Sequence, residues 1–170
     1  MGLNIDAINN HSEAEFIALL GSIFEHSPWV PELVYGKRPF ADREALHREM
    51  VDAMRHAPEL QRMALLCSHP ELAGKEAAAG SLTDASQREQ TGAGLNQCSA
   101  AELQKIKALN QAYYDKFEFP FIIAVTGLDK HQIIAAMERR LDNNPEDEFN
   151  TALGEVEKIA RIRIDAMIDG

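Results

Sequence analysis

This sequence predicts an all-α protein, a compact orthogonal bundle of several helices, and three observations carry that prediction. Apolar residues recur at three- and four-residue spacing along most of the chain, the period of one helix face. Capping signatures precede the runs: Ser12 with Glu15, and Ser99 with Glu102, have the Ser-x-x-Glu spacing in which each side chain takes the other residue's amide. Only one stretch, 119–125, has the composition of a strand, and no second apolar run of that kind is present to pair with it.

The first helix follows Ser12 and carries Phe16, Leu19, Leu20 and Ile23. A short helix follows Pro31, another follows Asp42, and a third runs from Pro58 through Leu60, Met63, Leu66 and Cys67. His69-Pro70 interrupts that run, and Pro70 suits the first turn of a further helix because it lacks an amide hydrogen. From His69 to Gly94, the glycines Gly74, Gly80, Gly92 and Gly94 divide the chain into short helical pieces joined by polar turns. A longer helix starts at Ser99 and presents Leu103, Ile106, Leu109, Tyr113 and Phe117 on one face. The segment 119–125 reads as a short strand or a buried extended stretch. Helical periodicity resumes from Lys130 to Leu141, and a last helix opens at Asn144-Pro145 and continues through Phe149, Leu153, Val156, Ala160 and Met167.

At 170 residues with 45% hydrophobic content, the chain is expected to be one domain over 1–170, with residues 1–11 an N-terminal extension or arm. Seventeen Lys and Arg against 27 Asp and Glu leave a net charge of -10, which disfavours nucleic acid and anionic membrane as partners. No run approaches the roughly 18–20 apolar residues that span a bilayer. Two cysteines, Cys67 and Cys98, in a sequence without a secretory leader form neither a disulfide framework nor a thiolate-rich site, so a reduced, soluble, intracellular protein is expected. The ending Met167-Ile168-Asp169-Gly170 is not a peroxisomal signal, which favours the cytoplasm.

Motifs for metals and nucleotides are absent: there is no His-Glu-x-x-His, no Cys/His cluster, no calcium loop and no phosphate loop, so neither metal nor nucleotide is expected. The most suggestive grouping is His69-Pro70 with Ser86-x-x-Glu89, since an imidazole exchanges protons near neutrality and a carboxylate can orient it or hold a substrate hydroxyl. A structural account stands beside it, in which His69 caps a helix begun by Pro70 and Ser86 with Glu89 is a capping box. Arg163 shares a helix face with Val156, Ala160 and Met167, so its guanidinium is set toward the core, where it can snorkel, pair with a buried acid or bind an anionic substrate. Arg161, with Glu157 and Asp165 four residues to either side, has the spacing of a solvent-facing ion network. His26 is read as a packing or hydrogen-bonding residue rather than a catalytic one. Cys67 reads as a small hydrophobe on an apolar face, with a Cys-His nucleophile as the competing reading. Tyr113, Tyr114 and Phe117 read as a packing surface, because no basic stripe accompanies them.

Taken in order, Phe24-Glu25-His26-Ser27-Pro28-Trp29, His69-Pro70-Glu71-Leu72-Ala73-Gly74-Lys75, Ser86-Gln87-Arg88-Glu89-Gln90, Leu109-Asn110-x-x-Tyr113, Phe117-Glu118-Phe119-Pro120-Phe121 and Glu157-Lys158-Ile159-Ala160-x-x-Arg163 resemble the 2-oxo-4-hydroxy-4-carboxy-5-ureidoimidazoline (OHCU) decarboxylase family. The resemblance covers most of the chain after Ser12. It implies an all-helical, cofactor-independent decarboxylase acting on a small-molecule substrate in the urate-to-allantoin route, and a homodimer. It further implies that His69 and Glu89 are the catalytic pair and that Pro70, Ser86, Phe121, Ile122, Ile123, Ala124, Val125 and Arg163 bind substrate. Thr126 stands where the family frequently has a basic side chain, so local anion contacts differ there. The alternatives are a metal-free hydrolase or lyase acting on another small polar heterocycle, separable by product identification, and a helical protein-interaction domain, which predicts an exposed apolar groove.

Overall fold

The computed structural model describes residues 3–170, and among them the secondary structure is helical with no strand; a single bridge pairs Leu3 with Ile168. Residues 1 and 2 of the expected N-terminal arm lie outside the described residues. In chain order the helices are α1 (Ile5–Asn9), α2 (Glu13–Leu20), α3 (Trp29–Val34), α4 (Arg43–Arg55), α5 (Glu59–Ser68), α6 (Lys75–Ala78), α7 (Asp84–Gly92), α8 (Ala100–Phe117), α9 (Lys130–Arg140) and α10 (Pro145–Met167), with 3-10 turns at Tyr35–Lys37 and Leu95–Gln97.

Local chemistry sets most helix starts. Ser12 and Ser99 form complete capping boxes with Glu15 and Glu102, and Asp42 accepts the Ala45 amide ahead of α4. Three starts differ from the sequence reading. Pro31 does not open α3, which begins at Trp29 with Pro31 inside its first turn. No helix begins at Pro70: α5 ends at Ser68, the chain turns, and α6 starts at Lys75. Ser86 with Glu89 is not a capping box, because Thr83 caps α7 by accepting the Ser86 amide at 3.2 Å.

The chain forms two compact units, one running to Ser68 and joined by Glu157–Gly170, the other His69–Val156; α10 contributes to both. In the first unit Phe16, Leu20, Ile23, Phe24, Val30, Leu46, Met50, Leu66, Ala160 and Ile164 are buried together. Arg43 ties its two chain segments by donating to the Ile168 carbonyl at 2.8 Å and pairing with Asp165 at 3.2 Å. Arg55 takes Glu157, while Arg161 pairs with Asp165 at 2.9 Å and Glu44 at 3.4 Å; of the two acids expected around Arg161, only Asp165 is its partner. Leu60 is 86% exposed and Cys67 is also exposed, so the buried side of α5 is Leu65 and Leu66, one step round from the face the sequence indicated. His26 is exposed in a left-handed conformation, φ 47°, and its neighbour Glu25 is the buried residue, which overturns the packing role read for His26.

In the second unit Ile106, Asn110, Tyr113 and Phe117 form the buried stripe of α8, while Leu103 and Tyr114 are exposed. Tyr113 is its centre, with the rings of Phe117, Phe119 and Phe121 at 4.6, 5.7 and 5.2 Å. The segment 119–125 passes through this core without a strand partner; it is a mostly buried stretch of irregular backbone.

Candidate active site

Of the residues singled out from the sequence, His69, Pro70, Ser86, Glu89 and 121–125 belong to the second unit, and Arg163 to the first. His69 follows the last residue of α5, is 8% exposed and has its Nε2 atom sealed from solvent. The loop it begins is irregular backbone, so its polar groups need partners from elsewhere. Asn110 of α8 donates its side-chain amide to the Leu72 carbonyl at 3.1 Å, and Gln90 of α7 accepts the Ala73 amide at 2.9 Å. Ala73 is held at φ 48°, and a Cβ on Gly74 would lie 2.6 Å from the Glu71 Cβ, so the turn requires glycine there.

Ser86, Glu89 and Gln90 stand at i, i+3 and i+4 on α7 and therefore share a face. Gln90 of that face holds Ala73, which turns the Ser86–Glu89 face toward the loop that starts at His69. Ser86 is buried and Glu89 half-buried. Ser86 lies in the first turn of this short helix, and the Thr83 cap, which accepts its amide, keeps that turn from fraying. The same loop and helix border a pocket of about 310 Å³ whose lining includes Ala73, Gly74, Gln87, Gln90, Thr91 and Cys98; His69, Ser86 and Glu89 are not in its wall.

The segment 121–125 is anchored separately within the second unit. Arg140 of α9 donates to the Ile122 carbonyl at 2.7 Å and lies 4.3 Å from the centre of the Phe121 ring. Glu155 of α10 accepts the Ala124 amide at 3.0 Å. Arg140 is buried, and Glu148, fully buried, compensates its charge while also accepting from the Tyr113 hydroxyl at 2.6 Å and the Asn143 amide at 2.9 Å. Burial, followed by the hydrogen bond to Glu148, pushes the Tyr113 hydroxyl well above its ordinary range, so it stays a donor.

In the first unit Arg163 is 7% exposed; its guanidinium pairs with Glu25 at 2.8 Å and donates to the Ser22 carbonyl at 3.1 Å. Of the three fates the sequence left open for Arg163, pairing with a buried acid is present. The sequence marks Glu25 as an ionic partner only by its place directly after Ile23-Phe24, where an acid departs from apolar patterning. Arg140 and Glu148 carry no such mark in the sequence, because charged residues on helices ordinarily face water.

Partial desolvation raises the Cys67 thiol above its ordinary value, leaving it protonated near neutrality and opposing a Cys-His nucleophile. Among the described residues, no group of three or more His, Cys, Asp or Glu side chains is arranged to hold a metal ion. A buried imidazole on a braced loop and a hydroxyl and a carboxylate on one helix face make an arrangement suited to proton transfer and hydroxyl binding on a small polar substrate.

Residues 9–165 match the OHCU decarboxylase family. The chain is 37% identical over 162 residues to 2-oxo-4-hydroxy-4-carboxy-5-ureidoimidazoline decarboxylase of Haloferax volcanii, covering 95% of this chain and 94% of that protein. It is 35% identical to the Xenopus laevis decarboxylase over 95% of this chain and 93% of that protein. With the uric acid degradation bifunctional protein of Bacillus sp. (strain TB-90) identity is 39% over 95% of this chain, which spans only 32% of that longer relative. Among solved structures, (S)-allantoin synthase superposes with a TM-score of 0.78 at 32% identity, over 98% of this chain and 55% of that one. An OHCU decarboxylase crystallised in the presence of (S)-allantoin superposes with a TM-score of 0.71 at 21% identity, over 94% of this chain and all of that one, a likeness of fold. The chain therefore belongs to the OHCU decarboxylase family.

Proposed function

We propose that this protein decarboxylates OHCU to (S)-allantoin in urate breakdown, without a cofactor, and that His69 and Glu89 are its catalytic pair. The observation that carries the reading is the placement of His69: within the region matching the family, it is a buried imidazole at the head of a loop braced by Gln90, the neighbour of Glu89. Pro70, Ser86, Phe121, Ile122, Ile123, Ala124, Val125 and Arg163 are proposed to contact substrate, by residue-for-residue correspondence with the family pattern. The family match runs across both units, which supports treating 1–170 as one catalytic domain.

The chemistry follows from the substrate. The ring carbon that bears the carboxylate also bears a hydroxyl and adjoins an imine carbon. When the carbon–carboxylate bond breaks, carbon dioxide leaves and its electron pair passes into the ring, toward the imine nitrogen. The nitrogen takes up a proton to give an enol; a second proton is then added to the ureido-bearing carbon on one face, and release of the hydroxyl proton completes the carbonyl, so one proton is consumed for each carbon dioxide released. Glu89 holds the hydroxyl or orients His69, and His69 manages the proton near neutral pH. Fixed donors around the ring stabilise the developing negative charge, so the reaction proceeds without a metal or external electron sink. Arg163 supplies charge for the anionic edge.

A homodimer and a cytoplasmic location complete the proposal. The homodimer is carried over from the family resemblance, and Cys67 and Cys98, which are not joined in a disulfide, suit a reducing compartment. No helix among the described residues is long and apolar enough to cross a membrane.

The test couples urate oxidation and 5-hydroxyisourate hydrolysis to generate the unstable substrate while circular dichroism follows allantoin. Rapid appearance of the S enantiomer above the spontaneous rate is expected. Slow racemic product with demonstrably folded protein would overturn the assignment.

A further inference from the structure

We propose that Arg140 and Glu155 are positioning residues for this reaction, gripping the 121–125 segment at Ile122 and Ala124 so that its backbone is held in place for the substrate. The inference rests on the reading above, in which that segment contacts the planar ring.

A substrate-binding backbone must keep its amides and carbonyls fixed to fractions of an ångström, and a strand would do so through its ladder. This segment has no strand partner, so side chains take over that role. Arg140 holds the Ile122 carbonyl at 2.7 Å and lies against the Phe121 ring, while Glu155 holds the Ala124 amide at 3.0 Å. The Val125 carbonyl is taken by the Leu128 amide at 2.9 Å, which closes the far end. Residues 122 and 124 are two apart, the spacing at which an extended chain repeats its facing, and Ile123 lies between the grips.

The construction is costly for a purely structural purpose. Buried charges are commonly replaceable by apolar residues of similar volume without loss of stability, and four phenylalanine or tyrosine rings already pack this core. Apolar packing is non-directional, whereas a guanidinium and a carboxylate place hydrogen bonds at defined points. Glu148, Tyr113 and Asn143 in turn fix the guanidinium: its Nε donates to Glu148 at 2.6 Å, and the carboxylate is filled by the other two donors. The grip therefore has its own braced support.

The test compares Glu155→Gln, which keeps an acceptor for the Ala124 amide, with Glu155→Met, which keeps the side-chain length and removes it. In the coupled assay, Glu155→Met is expected to raise KM about tenfold with kcat within about threefold of wild type, and Glu155→Gln to restore KM to within about twofold. Amide hydrogen exchange at Ala124 should accelerate in Glu155→Met while the amides of α8 keep their protection. A folded Glu155→Met with wild-type KM, or a Glu155→Gln that loses as much as Glu155→Met, overturns the proposal while leaving the decarboxylase reading intact. If Glu155→Met does not fold, Arg140→Lys carries the same expectation, a raised KM with kcat nearly kept, and an unchanged KM overturns the proposal. Folded wild-type protein that makes no (S)-allantoin overturns the decarboxylase reading itself, and with it this role for the grip.

Discussion

Glu25 and Arg163 form a buried ion pair at 2.8 Å, with the carboxylate residue 1% and the arginine 7% exposed. The Ser22 carbonyl takes a further guanidinium hydrogen, and the Glu25 carbonyl itself accepts from the hydroxyls of Ser27 and Ser68, each at 2.8 Å. The pair thus pins α10 to the turn that follows α2 and gives the last helix a fixed charge rather than a solvated one.

Removing one partner leaves the other charge buried. Glu25→Ala should therefore destabilise the protein by about 3–5 kcal/mol, measured by urea unfolding. Replacing both residues, Glu25→Leu with Arg163→Met, should recover most of that loss while leaving turnover low, since the proposed anion contact is gone. Equal stability losses in the single and double variants would contradict this account.

His69 is proposed to manage the proton. His69→Asn should lower turnover by about 10²–10⁴-fold with the far-ultraviolet spectrum unchanged and cooperative unfolding retained, because the amide can take the place of the imidazole's Nδ1 edge while supplying no group that titrates near neutrality. Near-normal turnover would remove His69 from the mechanism.

Thr83 caps the helix that carries Ser86 and Glu89. Thr83→Ala should cost about 1 kcal/mol and Thr83→Ser little, read from thermal melts. Activity should fall in Thr83→Ala more than in a control such as Ser12→Ala, whose cap serves α2.

Glu102 is held down to about 2 from an ordinary value of 4.5, chiefly by its hydrogen bond from Lys130, with the Ser99 amide next. A carboxylate whose folded value is depressed contributes stability that is fully present above its unfolded value and lost as the pH falls toward the folded one. Stability should therefore drop between about pH 4.5 and 2 with a Glu102 component. Lys130, raised by the same hydrogen bond, contributes at pH below its ordinary 10.5 and loses that contribution as the pH rises past it. Glu102→Gln should flatten the acid limb of a melting-temperature profile; an unaltered limb would show that the pair contributes nothing there. Added salt should weaken the effect, because the pair is partly open to solvent.

Elements whose cause is local were legible in the sequence. The caps at Ser12, Asp42 and Ser99 act over three residues, so residue type and spacing specify them, and Pro145 follows Asn144 at the start of α10. The α7 start shows where such reading fails: Thr83 and Ser86 are both capping residues three apart, and only the path of the backbone after α6 selects Thr83. Likewise His69 and Glu89 stand out as residue types, whereas the bracing of the loop that begins at His69 by Asn110 depends on a contact across 38 positions.

By itself, the sequence determined an all-helical chain, the order of its main helices and the candidate residues, because helical period, capping and motif order are short-range properties. Tertiary structure alone decided which charged residues go inside. Glu25 meets Arg163, and Arg140 meets Glu148 while holding Ile122, because a buried charge is tolerated only where folding brings a partner to it, and no spacing along the chain records that partner.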